Sequence, residues 1–227
     1  SSLVVDTYIH IVASGTTIAD GYLDDETISR QISVLRSTYA PTGVSFQILG
    51  INRVINTLWA TSISPADHLS MKKALRQGTY KTLNLYYRPV VGADDDGGEL
   101  LGQCPFPDAG IAAGSDDFFN DGCMMLPSTV PGGAMPEFDL GITTTHEVGH
   151  WFGLFHTFEG GCFVGDQVAD TPAERTPSRD CGVKDTCPEQ PGLDPINNYM
   201  DYSPDSCLNQ FTDGQRVRLH EVWQLFR

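Results

Sequence analysis

The stretch His146-Glu147-Val148-Gly149-His150-Trp151-Phe152-Gly153-Leu154-Phe155-His156 decides how this chain is read. It has the form H-E-x-x-H-x-x-G-x-x-H. Residues four apart on a helix share one face, a turn apart, so the rings of His146 and His150 can reach a single ion. Glu147 follows the first ring, offset around the helix, where it can address a water at that ion without ligating it. Gly153 can adopt the left-handed backbone conformation that ends a helix, which turns the chain so that His156 returns as a third ligand. Three protein ligands leave a tetrahedral zinc one open position, the mark of a catalytic site. The alternative is three core histidines and a solvated glutamate, but five fixed residue types at fixed offsets argue against coincidence. The pattern predicts a zinc hydrolase.

A length of 227 residues allows one sizeable core, divided at most into two lobes. Hydrophobic content of 40% with 19% charged residues is ordinary for a globular protein. No apolar run approaches the roughly 20 residues of a membrane helix. A formal net charge of −15 argues against nucleic acid or anionic membranes as partners. It suits cationic substrates or bound ions, or solubility alone. The start, Ser1-Ser2-Leu3-Val4-Val5-Asp6, lacks an initiator Met and a signal core and reads as a mature N-terminus. Six cysteines fall at 104, 123, 162, 181, 187 and 207 with no C-x-x-C pair, so a cysteine zinc cluster is not expected. Four of them crowd a loop-rich stretch that buries little apolar surface. Three disulfides, and hence a secreted protein, are expected, with fifteen pairings open.

Along the chain, residues 3–12 read as a strand apolar on both faces, and 26–39 as a helix with Ile28, Ile32, Leu35 and Tyr39 inward. Residues 44–55 read as a second strand with a bulge near Gly50, 66–77 as a helix with Met71 and Leu75 inward, and 83–91 as a third strand. Gly92 to Gly102, with Asp94, Asp95, Asp96 and Glu99, reads as a loop. Residues 111–113 and 123–126 could form a hairpin-like strand pair. After His156 periodicity disappears until the capping-box signature Thr212/Gln215, which opens a closing helix with Val217, Leu219, Val222, Trp223 and Phe226 available for packing. His10, His68 and His220 read as surface or strand-end histidines, and Asp116, Asp117 and Asp121 as solvated loop carboxylates. The expectation is a single α/β (α+β) domain. Its N-terminal part (1–153) holds a twisted mixed sheet, helices and the active-site helix, and a cleft separates it from an irregular, disulfide-rich C-terminal part (154–227).

Downstream of the histidines, Asn198-Tyr199-Met200-Asp201-Tyr202 completes a pattern that resembles the metzincin metallopeptidases, with Met200 similar to their Met-turn methionine. Further stretches resemble the pappalysin family in its short secreted microbial form. They are His150 through Phe158, Gly165-Asp166, Asp170-Thr171-Pro172-Ala173-Glu174, Asp194 through Ser203, and Phe211-Thr212. The resemblance is specific from residue 143 to about 216 and weaker before. It implies the pairs Cys162–Cys187 and Cys181–Cys207, with Cys104–Cys123 remaining. It also implies synthesis as a zymogen, though no pro-segment is visible here.

What the resemblance implies for chemistry is a zinc-dependent endopeptidase. Zinc lowers the pKa of its bound water to about 7 and polarises the scissile carbonyl. Glu147 would act as general base and then donate the proton to the leaving amine. Tyr202 is the candidate donor to the oxyanion, its alternative being a structural tyrosine. Asp205 would sit at the base of the S1′ pocket and select Arg or Lys there, unless it caps its own turn. Asp166 and Thr171 resemble a calcium site, with a solvated acidic turn as the rival. The expected partners are protein or peptide substrates of a monomer. An inactive zinc-binding homologue, or a zincin acting on a non-peptide substrate, are the competing functions.

Overall fold

β-branched and apolar residues on both faces make residues 3–13 the strand β1 (Leu3–Ala13), in which Val5, Ile9, Ile11 and Val12 are fully buried. The structure, a computed structural model, describes residues 2–93 and 97–227, and the acidic run at 94–96 lies outside the described residues. Helix α1 (Asp25–Tyr39) follows, opened by Asp24, whose carboxylate accepts from the Thr27 N–H. Strand β2 (Val44–Ile55), short helix α2 (Thr57–Thr61), helix α3 (Pro65–Leu75) and strand β3 (Leu83–Tyr87) come next. Two short strands, β4 (Gly102–Gln103) and β5 (Cys123–Met125), flank α4 (Asp116–Asn120). Helices α5 (Ile142–Trp151), α6 (Gly161–Val164) and α7 (Asp213–Phe226) complete the order.

The sheet order is β2-β1-β3-β5-β4, parallel except for the antiparallel edge strand β4. Pairing of β1 with β2 shifts register between Thr7 and Tyr8, which places the predicted bulge beside Gly50. The core joins the sheet to α1, α5 and α7 through Ile9, Leu35, Tyr39, Trp151, Phe152 and Leu219. Thr212 and Gln215 form the predicted capping box of α7. All three disulfides form as the resemblance implies: Cys104–Cys123, Cys162–Cys187 and Cys181–Cys207.

Five expectations need correction. Residues 111–113 form no strand; the antiparallel partner of β5 is Gly102–Gln103, two residues whose glycine hides any strand signal. The third strand stops at Tyr87, because Pro89 cannot donate to a ladder. Val217 is 52% exposed and faces water, while Leu219 and Val222 carry the packing. Asp121 is not solvated. It is 3% exposed and sits between the guanidiniums of Arg76 and Arg227 at 3.1 and 2.9 Å. Removing a carboxylate so placed strands buried cations and costs roughly 3–5 kcal/mol, whereas exposed pairs such as Lys73–Asp116 contribute about 1 kcal/mol or less.

His10 likewise is no strand-end residue but a fully buried one in the middle of β1. Asn84 accepts at Oδ1 from the Gln77 N–H, so that oxygen also accepts from His10 Nε2 at 2.9 Å. Asn52 Nδ2 donates to His10 Nδ1 at 3.2 Å, and the ring stacks on Tyr86. Both ring nitrogens are satisfied only in the neutral form. Burial, with a smaller contribution from Arg76, lowers its pKa from 6.5 to about 4. The unfolded chain therefore binds an extra proton between pH 6.5 and 4. The stability this provides is complete above pH 6.5 and is lost as pH falls toward 4, by about 3 kcal/mol at most. Denaturant unfolding at pH 7, 5.5 and 4.5 is expected to show the stability gap between wild type and His10→Gln shrinking with acid. Parallel pH curves would contradict this role for His10.

Candidate metal centre

Helix α5 is buried along its whole length, so each of its polar groups must find a partner. At its start Gly141 is left-handed, Gln31 Nε2 donates to the Gly141 carbonyl at 3.0 Å, and Asp205 Oδ2 accepts from the Leu140 and Ile142 amides at 2.9 and 3.4 Å. Thr38 bonds the Thr145 hydroxyl at 2.9 Å, and Tyr39 donates to the Thr145 carbonyl at 3.0 Å. Tyr87 on β3 meets Thr144 at 2.8 Å. At the far end Gly153 takes φ +82°, which ends the helix and sends the chain back over it. Arg227 donates to the Trp151 carbonyl at 3.1 Å and stacks on the Trp151 ring.

Those constraints aim three imidazoles at one point. His146 Nδ1 donates to the Tyr199 carbonyl at 2.7 Å, and His150 Nδ1 donates to the Leu154 carbonyl at 2.8 Å. A carbonyl can only accept, so in the neutral rings both Nε2 atoms present bare lone pairs. These two atoms are 3.1 Å apart, and His156 Nε2 lies 3.0 Å from that of His150. Burial keeps the rings neutral: His146 titrates far below its usual range, His150 at about 4 and His156 at about 3. Converging lone pairs of this kind repel unless a cation lies among them, and among the described residues this triad forms the one such cluster. Imidazole donors with no thiolate suit zinc, and the triad fits that ion.

Around the triad, Glu147 is 6% exposed and burial pushes its carboxyl up to about 8. It lies against the edge strand so closely that a Cβ at Gly102 would come within 2.5 Å of its Cγ and 2.6 Å of its Oε1. Met200 is fully buried beneath the helix, where a Cβ at Gly149 would come within 2.4 Å of its Sδ. The sulfur thus fills the space that a side chain at Gly149, next to His150, would occupy. The Tyr202 hydroxyl lies 3.1 Å from His156 Nε2, within hydrogen-bond distance, and its ring packs against His156 and Phe158.

The structure therefore gathers His146, His150, His156, Glu147, Met200 and Tyr202, with Gly153 supplying the turn. Asp205 stands apart, at the N-terminal end of α5, 4% exposed and raised to about 6 by burial. It caps that helix and not its own turn. Asp166 and Thr171 lie in the loop after α6. Burial raises the Asp166 carboxyl to about 6, against hydrogen bonds from the Val168 amide, 3.0 Å from Oδ1, and from the Thr171 side chain. Gly102 and Gly149, and the Tyr199 and Leu154 carbonyls, escaped the sequence reading. Only the last two follow a rule that could have found them, since a ligating histidine needs an acceptor at its other nitrogen.

Residues 79–224, more than half of the chain, match the family described as pregnancy-associated plasma protein-A. An extracellular metalloprotease of Podospora anserina is 48% identical over 228 residues, spanning 100% of this chain and 75% of its own. Extracellular metalloprotease 1 of Coccidioides posadasii is 50% identical over 225 residues, spanning 98% and 78%. Among solved structures, Tannerella forsythia mature mirolysin in complex with a cleaved peptide is similar, with a TM-score of 0.77 at 26% identity, over 97% of this chain and 91% of the other.

Proposed function

This chain belongs to the pregnancy-associated plasma protein-A family, and from that premise we propose a zinc endopeptidase with Glu147 as general base. It is an extracellular metalloprotease, and its substrates are proteins or peptides. The observation that carries the proposal is the convergence of three Nε2 atoms, those of His146 and His150 with bare lone pairs, beside a buried carboxylate. Residues 1–153 supply two of the histidines and residues 154–227 the third, so both parts work as one catalytic unit.

When bound, zinc supplies Lewis acidity toward water and the scissile carbonyl. His146, His150 and His156 would hold it, with the outer nitrogens of the first two fixed by the Tyr199 and Leu154 carbonyls and Glu159 4.0 Å from His156 Nδ1. The cation would also counter the burial that raises the Glu147 pKa, favouring its carboxylate form. Glu147 then takes a proton from the attacking water and passes it to the leaving amine. Tyr202 donates a hydrogen bond to the oxyanion, a role worth about 2.7–4 kcal/mol where such donors have been removed. Among the described residues β4 is the last strand of the sheet, and an extended substrate can add along its outer edge as a further strand.

Asp205 is the specificity residue. The helix amides hold its Oδ2, which leaves Oδ1 for a substrate guanidinium or ammonium, and burial strengthens that pairing. The preference would be for Arg or Lys directly after the scissile bond. Calcium is the second ion. Buried oxygens of Asp166 and Thr171, which meet in this loop, suit a hard cation, and Gln167 between them in the chain takes φ +63°.

Glu147→Gln is expected to keep about one zinc per chain and to lose roughly 10²- to 10⁴-fold in kcat; full activity would remove the base from Glu147. Asp205→Asn preserves the helix cap and removes the charge, so cleavage-site profiling is expected to show the basic preference collapse. An unchanged preference would dismiss the pocket role. Adding calcium to the zinc-loaded protein should raise its Tm, and Asp166→Asn should abolish that rise. An equal rise in both would place calcium elsewhere.

A further inference from the structure

Phe106 is 45% exposed, yet its ring meets those of His150 and Phe155, with centroids 5.2 and 5.1 Å away. Among the described residues it is the strongly exposed large apolar side chain that touches the histidine triad. Its position is built, not loose. Cys104, two residues earlier, is bonded to Cys123 on β5, and Phe155 is braced from another side by Arg218, whose guanidinium carbon lies 4.8 Å from that ring centroid. Arg218 is itself anchored by donating to the Gly153 carbonyl at 2.8 Å.

The placement of this aromatic shelf relative to Asp205 tells which part of a substrate reaches it. Asp205 bonds the amides of Leu140 and Ile142, before the first ligand on α5, whereas Phe106 packs on His150 and Phe155, at and beyond the helix C-terminus. Ile142 and His150 are eight residues apart, roughly 12 Å along a helix axis. Along the axis of α5, Asp205 thus lies before the triad and Phe106 at its far end. With Asp205 binding the residue after the scissile bond, the shelf faces the residues before it. A substrate strand antiparallel to β4 leads to the same side, since Phe106 lies beyond Gln103 in the chain direction.

We propose that Phe106, supported by Phe155, forms a substrate subsite for an aromatic or large aliphatic side chain on the N-terminal side of the scissile bond. An exposed phenyl edge gains by covering apolar surface, and aromatic rings prefer the tilted contacts this shelf offers. The inference rests on the endopeptidase reading above and on the primed-side role of Asp205.

The test uses zinc-loaded protein and peptides carrying Arg after the scissile bond, with Phe or Ala at each of the three preceding positions. Wild type is expected to favour Phe roughly tenfold in kcat/KM at one of them, through KM. Phe106→Ala should bring that ratio near one, Phe106→Leu should keep part of it, and zinc content and the preference for Arg should not change. A ratio retained in Phe106→Ala, or absent in wild type at all three positions, overturns the subsite. Calorimetric binding of the same peptides to Glu147→Gln, with and without Phe106→Ala, reads the shelf without turnover. A Phe preference in binding that Phe106→Ala removes supports the subsite even if cleavage fails, in which case the endopeptidase reading is what falls.

Discussion

The bare Nε2 lone pairs of His146 and His150, 3.1 Å apart in a buried site with His156 Nε2 3.0 Å from the second, repel unless a positive charge sits among them. Much of the structure serves to hold them there. The Tyr199 and Leu154 carbonyls take the protons of His146 and His150, which fixes each tautomer and aims each lone pair. Those carbonyls are themselves placed by turns: Leu154 by the reversal at Gly153, Tyr199 by its N–H donating to the Gln210 carbonyl at 3.0 Å. The ligands are thus oriented by backbone, which has fewer ways to relax than side chains do.

Two missing methyl groups are equally consequential. Without a side chain at 149, Met200 packs directly against the helix beside His150, and without one at 102, Glu147 rests on the edge strand where substrate would add. Helix α5 brings both approaches together, and it can be fully buried because Thr38, Tyr39, Gln31, Tyr87, Arg227 and Asp205 satisfy or brace its polar groups from four directions. A helix so enclosed positions catalytic groups more rigidly than a loop would.

The residues legible in the sequence were those whose chemistry depends on local spacing. His146, Glu147, His150, Gly153 and His156 form a local pattern, and so do the α1 stripe, the bulge near Gly50 and the Thr212/Gln215 cap. Partnerships across long separations were not legible. Asp121 looked like one more acidic loop residue because Arg76 and Arg227 are 45 and 106 residues away. His10 looked peripheral because Asn84 and Asn52, which satisfy it, belong to the strands β3 and β2 on either side. Strand β4 is two residues long and carries no periodicity at all. Asp205 was expected to be buried and is, but its bonds to the helix amides depend on how residues 137–142 fold against it.

X-ray absorption spectroscopy of the zinc-loaded protein tests the central claim most directly. Three nitrogen scatterers with the signature of imidazole at about 2.0–2.1 Å, and one light oxygen scatterer from solvent, are the predicted first shell. A sulfur scatterer, a fourth side-chain ligand closing the site, or zinc that remains bound in the same shell after His150→Ala would contradict it.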